Sequence, residues 1–302
     1  MDRPLRIGTR ASPLALAQAS LVAAALRAAH GWDEDRVRIV PITTTGDMIQ
    51  DRPLAEVGGK GLWTKELDRC LVDGRTDVSV HSMKDVETIR PAELTVAALL
   101  PRADVCDRLI GAESIAALAQ GARVGTSSPR RASQLLHRRP DLEIITFRGN
   151  VQTRLAKLEA GLAEATLLAA AGLDRLGIDV GTLIDDMLPA PAQGAVGIEI
   201  RAGDDEVTRL VGAVDHSDTH DCIAAERRFL EGLGGTCRSP VAALAQMEDG
   251  RVFLRVEILT GDGRECRQGS LRFDRHDRQG PFDLAKRLLA EASPELRALF
   301  AA

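Results

Sequence analysis

Residues 123–131 read Arg-Val-Gly-Thr-Ser-Ser-Pro-Arg-Arg, an echo of Leu-Arg-Ile-Gly-Thr-Arg-Ala-Ser-Pro at residues 5–13. In each, a short strand-like run stops at glycine and a Ser-Pro pair opens a helix, because serine is a good N-cap and proline a good first helical residue. Such a strand-to-helix turn aims free N–H groups and the positive end of the helix dipole at one point. Arg10 in the first turn, and Ser127, Ser128, Arg130 and Arg131 in the second, gather at that point. The echo continues downstream, where residues 62–80 and 151–170 both run helix, glycine, acid, apolar strand. One α/β unit is written twice, which predicts two similar domains facing each other with a ligand in the cleft between them.

Within the first unit, Asp77-Val-Ser-Val-His-Ser-Met-Lys84-Asp85-Val86 is a short β-branched strand that runs out into polar residues. Ligands of open α/β sheets bind at the carboxyl ends of strands, so Lys84 and Asp85 occupy a site position. A lone Lys-Asp pair reads as a solvated turn salt bridge. Arg148, Arg154 and Arg175, in the connections of the second unit, change that reading. Several arginines at strand ends and helix starts of a duplicated fold imply one ligand with several carboxylates or phosphates, which guanidinium forks hold in a bidentate grip.

The remaining elements follow from pattern. A helix is expected from Pro13 to about residue 29, and strands at 37–42, 95–100, 142–146 and 165–169. Residues 43–61 lack a period and carry five glycine or proline breaks, as in a lid or mobile loop, proposed over 47–60. Gly59-Lys60-Gly61 is not a P-loop, since no Ser or Thr follows the lysine. Residues 188–200 read as a linker and a strand returning to the first domain. Beyond it come a helix at 222–230, a loop holding Cys237, a hairpin of 252–259 and 266–273 turned by Gly261-Asp-Gly263, and a helix at 282–292. The predicted fold class is α/β, in three domains: 1–99 with 195–215, 100–194, and a small α+β domain at 216–302.

Composition narrows the function. The 302 residues are 44% hydrophobic, with a net charge of −5, 3% aromatics and no Tyr. Nucleic-acid binding is disfavoured without a basic face or stacking rings. The five scattered cysteines show neither a disulfide framework nor zinc spacing, so no metal is expected and a reducing cytoplasm fits. Residues 11–29 imitate a signal peptide, but Gln18, Ser20 and Arg27 interrupt them, and no membrane partner is expected.

Eight segments together resemble the porphobilinogen deaminase (hydroxymethylbilane synthase) family: residues 5–16, Val57-Gly-Gly-Lys-Gly-Leu62, His81-Ser-Met-Lys-Asp-Val86, Val124-Gly-Thr-Ser-Ser-Pro-Arg-Arg131, Phe147-Arg-Gly-Asn-Val151, Ala171-Gly-Leu-Asp-Arg-Leu-Gly177, Gln193-Gly-Ala-Val-Gly-Ile-Glu199 and Gly235-Thr-Cys-Arg-Ser-Pro240. The resemblance implies two type II periplasmic-binding-protein-like domains plus the small C-terminal domain. It implies a monomer that condenses four porphobilinogen molecules head to tail, releases ammonia at each step, and frees hydroxymethylbilane. The chain grows on a dipyrromethane cofactor joined by a thioether to Cys237. Asp85 is the implied catalytic acid; Lys84, Ser128, Arg130 and Arg131 are implied cofactor contacts. Arg10, Ser12, Arg148 and Arg154 resemble substrate and chain positions, and Arg175 an elongation position. Two departures stand out: Gly-Gly-Thr-Cys precedes the loop's Arg238, and Thr45 replaces a frequent arginine before Gly46-Asp47.

Two other readings compete. A solute receptor or sensor domain shares the duplicated fold but has no use for a cysteine loop. A cysteine hydrolase using Cys237 lacks a base motif, with only His216 and His220 to offer.

Overall fold

The computed structural model describes residues 3–44, 64–235 and 239–300. The expected lid over 47–60, Thr45, Gly61 and Cys237 lie outside the described residues. The chain divides into two compact units, Met1–Ala103 with Gly194–His220, and Asp104–Gln193 with Asp221–Ala302.

The first unit is built on β1 (Leu5–Arg10), β2 (Val37–Ile42), β3 (Val78–Ser82), β4 (Leu94–Leu99) and β10 (Val196–Arg201), ordered β2-β1-β3-β10-β4. β1 is parallel to β2 and β3, whereas β10 runs antiparallel between β3 and β4. α1 (Pro13–His30) starts where Ser12 accepts a hydrogen bond from the Ala15 N–H, and stops at Gly31, whose φ of +62° is left-handed. Its Ala19, Val22 and Leu26 bury against Leu5, Ile7, Val78 and Ile198. Among the described residues, the other helices wholly in this unit are α2 (Lys65–Val72) and α6 (Asp205–Gly212). Ser79 is as buried as Val78 and Val80, so β3 is covered on both faces, as an inner strand of an α/β sheet must be.

The second unit repeats the plan with β5 (Asp107–Ile110), β6 (Arg123–Gly125), β7 (Glu143–Ile145), β8 (Ala165–Ala169) and β9 (Thr182–Ile184), ordered β7-β6-β8-β5-β9. β6 is parallel to β7 and β8, and β5 runs antiparallel between β8 and β9. Both sheets thus share one plan, with a single antiparallel strand inserted next to an edge strand. They differ in when the antiparallel strand is made: last in the first unit, first in the second. The repeat persists in single side chains. The acid before β3, Asp77, takes the Arg6 backbone N–H (2.9 Å) and guanidinium, and the acid before β8, Glu164, does the same with Arg123 (backbone N–H 2.6 Å).

The helices of this unit are α3 (Pro129–Arg138), α4 (Val151–Glu159) and α5 (Ala170–Arg175). The unit also holds an antiparallel sheet, β11 (Val241–Glu248), β12 (Arg251–Leu259) and β13 (Cys266–Asp274), packed with α7 (Ser217–Leu233), α8 (Gln279–Glu291) and α9 (Pro294–Ala298) around Phe229, Leu254, Ile258, Phe273 and Leu288. α7 begins in the last residues of the first unit. The β12–β13 hairpin abuts α3: Gln134 donates to Glu257 (2.6 Å) and His137 Nδ1–H to the Gly263 carbonyl (2.8 Å). Gly263 has φ +72°, and a Cβ there would stand 2.4 Å from the His137 backbone nitrogen. Glycine is required by both conformation and proximity.

β5, β9, β11, α5, α6 and α9 are absent from the sequence expectations. β5 is four residues with two charges, β9 is three residues, and β11 reads Val-Ala-Ala-Leu-Ala without alternation, so none carries a period-two signal.

Candidate active site

In the first unit the candidate residues sit at the carboxyl ends of two neighbouring parallel strands. β1 ends at Arg10, and Ser12 caps the helix that follows. β3 ends at Ser82, whose hydroxyl meets Gln18 of α1 at 2.8–2.9 Å. A single 3₁₀ turn, Met83–Asp85, comes next. Met83 is buried and its N–H binds the Ala195 carbonyl at 3.1 Å, while a Cβ on Gly197 would stand 2.1 Å from its sulfur. The turn is therefore plugged into the core by one residue, with Lys84 and Asp85 half-buried beside it.

Beneath this turn lies a charged cluster that sequence reasoning missed. Glu199 of β10 is fully buried, with His81 Nε2 at 3.1 Å and the Arg90 guanidinium donating to both its oxygens (2.7 and 3.0 Å). Burial pushes the Glu199 carboxyl up, but the hydrogen bonds from His81 and Arg90 outweigh it and hold it down at about 2. The ordinary value is 4.5, so folding gains stability from this group above about pH 5 and loses it as pH falls toward 2. Urea unfolding followed from pH 6 to pH 3 is expected to show this decline, flattened in Glu199→Gln; an equally steep decline in that variant would assign it to other carboxylates.

In the second unit the candidates again occupy carboxyl ends of parallel strands. After β6, Ser128 caps α3 by accepting from the Arg131 N–H. After β7, Arg148 precedes Gly149, whose φ is +113°. Arg154, in the first turn of α4, donates to the Gly149 carbonyl (3.0 Å) and the Ser127 hydroxyl (3.2 Å). After β8, α5 ends in Arg175, where burial pushes the guanidinium pKa down. Its neighbour Asp174 is held by Arg108 at 2.9 Å. Arg148 Nη1 is buried without a hydrogen-bond partner. A buried guanidinium nitrogen left unpaired is costly, and an anionic ligand would satisfy it.

Arg130 and Arg131 stand differently from a pair of open ligand clamps. Both are buried and share Asp107, the first residue of β5: Arg130 Nη2 at 2.8 Å, and Arg131 through Nη2 at 2.7 Å and Nε at 3.0 Å. Arg131 also donates to the Leu167 carbonyl, and Gln193 donates to Asp107 at 2.9 Å. Burial pushes the Arg130 pKa down, with Asp107 opposing. Nothing in the sequence marks Asp107, an acid opening an unrecognised strand. Asp107→Ala would leave two guanidiniums buried without their carboxylate and is expected to cost about 3–5 kcal/mol of stability. Chemical denaturation checks this; a loss below about 1 kcal/mol would mean that the arginines find other partners.

Cys70 and Cys222 are buried and Cys106 and Cys266 half-buried, and none of the four is disulfide-bonded to another. His216 and His220 bond locally, to Thr219 and Asp215. Among the described residues no cluster of His, Cys, Asp and Glu could hold a metal ion, and no helix is long and apolar enough to cross a membrane.

A duplicated α/β protein with arginine, lysine and one half-buried carboxylate at its strand ends is an enzyme-like binder of acid-rich small molecules. Comparison with known sequences makes this specific. Residues 5–209 match the family described as "Porphobilinogen deaminase, dipyromethane cofactor binding domain", and residues 220–293 match "Porphobilinogen deaminase, C-terminal domain". Porphobilinogen deaminase of Sphingopyxis alaskensis is 56% identical over 99% of this chain and 98% of its own length. That of Paracoccus denitrificans is 52% identical over 87% and 86%, and the chloroplastic protein of Oryza sativa 47% over 97% and 83%. The chain belongs to the porphobilinogen deaminase family. It is a transferase that polymerises porphobilinogen to hydroxymethylbilane in tetrapyrrole synthesis, using a dipyrromethane cofactor.

Proposed function

We propose that Asp85 is the acid that serves every condensation, and that the cationic strand ends of both units hold the carboxylates of cofactor, substrate and growing chain. Cys237 carries the cofactor through a thioether. Lys84, Ser128, Arg130 and Arg131 hold the cofactor, the last two through the N–H groups that Asp107 leaves over. Arg10, Ser12, Arg148, Arg154 and Arg175 bind substrate and the lengthening product. The three-domain division at 1–99 with 195–215, 100–194 and 216–302 belongs to this reading, as do a monomeric state, a cytoplasmic location and the absence of nucleic-acid partners.

The observation that carries it is the buried, unpartnered Nη1 of Arg148 at a strand's carboxyl end. Each pyrrole brings an acetate and a propionate, and guanidiniums neutralise them without losing their own protons. When bound, dipyrromethane supplies the pyrrole nucleus to which the first substrate unit is joined. Asp85 as an acid gives its proton to the departing amine, and as a carboxylate it then stabilises positive charge on pyrrole nitrogens. One acid can serve four condensations only if the product moves past it.

Arg148→Gln tests the binding half of the proposal. A charged hydrogen bond is worth about 1.5–3 kcal/mol, so kcat/KM for porphobilinogen is expected to fall about 10–100-fold with the thermal midpoint unchanged. Steady-state rates within twofold of the parent would remove Arg148 from the site.

A further inference from the structure

We propose that Glu199 and Arg90, with His81, are positioning residues for Asp85, fastening both flanks of the turn that carries it to one buried carboxylate. The inference rests on the reading of Asp85 as the catalytic acid.

His81 precedes Asp85 in the strand that leads into the turn, and Arg90 follows it in the segment that leads out. Both converge on Glu199 of β10, the strand that pairs with β3 and also supplies the close approach of Gly197 to Met83. Arg90 reaches further. Its Nη2 lies 2.5 Å from Asp68 of α2, and its Nη1 lies 2.5 Å from Glu87 and 3.3 Å from the Thr64 hydroxyl. Thr64 also donates to Glu87 at 3.0 Å. Residues 81–90 therefore form a closed loop, pinned at its base by Glu199 and at its side by α2.

This network is a poor choice for stability alone. Removing charged groups from water is costly, and a packed apolar set would hold strands together equally well. It is a good choice for geometry. A guanidinium fork on a carboxylate fixes distance and angle together, and a misplacement of about 1 Å at a reacting group can cost about 100-fold in rate. No hydrogen bond between these three residues and Asp85 is needed; they act through the backbone of the turn.

Arg90→Lys keeps the charge but loses the fork, and Glu199→Gln keeps the shape but loses the charge. In each, measured per cofactor-loaded molecule, kcat is expected to fall about tenfold or more while KM changes less than about threefold. A role in folding alone would lower the denaturation midpoint and leave kcat per loaded molecule intact. Because the effect passes through Asp85, adding Arg90→Lys to Asp85→Asn should not lower the residual turnover further. Parental kcat in both single variants, or a full additional loss in the double variant, would overturn the inference. If Glu199→Gln fails to fold, Arg90→Lys and His81→Gln decide by the same criteria. Full activity of Asp85→Asn itself would instead refute the assignment of the acid, so the two failures are distinguishable.

Discussion

Asp85→Asn is expected to fold, carry its cofactor and bind porphobilinogen, while turnover drops about 10³-fold or more. Asparagine preserves the volume of the half-buried side chain, and the turn is anchored by Met83 rather than by Asp85, so structure should persist. What disappears is a transferable proton and a negative charge. General acid catalysis by a placed side chain contributes about 10²–10⁴-fold, and stabilising developing charge adds a comparable factor. Ammonia release and hydroxymethylbilane formation, measured beside the intact mass of the variant, give the result. Parental turnover would leave the turn at the end of β3 without a chemical role.

Cys237→Ser is expected to remove the covalent cofactor and, with it, essentially all activity. The parent protein should show a mass above that of its chain by one dipyrromethane, and the variant should show the chain mass alone. A thiolate attacks carbon readily where a hydroxyl does not, and Arg238 beside it favours the thiolate. An unmodified parent with unimpaired turnover would defeat the proposal, as would a modified Cys237→Ser.

Much of this architecture is legible in sequence because it is written twice. The Gly-Thr turns, their capping serines and the acids Asp77 and Glu164 recur with their partners Arg6 and Arg123. Local chemistry dictates such features: a cap, a turn or a β-branched run needs no knowledge of what lies across the sheet. The positions of Lys84, Asp85, Ser128 and Arg148 at strand ends were readable on the same grounds. The partners of the arginines were not. Asp107 meets Arg130 and Arg131, and Glu199 meets Arg90, through strands that insert antiparallel into otherwise parallel sheets. Neither pairing has a sequence spacing to betray it, and β5 is too short and too charged to announce itself. Sequence thus located the polar groups at strand ends better than the partners that hold them in place.

The late arrival of β10 has a consequence for biosynthesis. The second α/β sheet has all five strands once residue 184 has been made, but the first lacks a member from its interior until residues 196–201 emerge. Until then β3 and β4 have no strand between them to pair with, and Glu199 has not been made. Non-local pairing of this kind is slow and exposes unpaired edges, which nascent chains hide by folding other parts first or by binding chaperones. On the ribosome, the region encoded second should mature before the region encoded first, and the segment bearing Asp85 should acquire its final shape only after two thirds of the polypeptide exists.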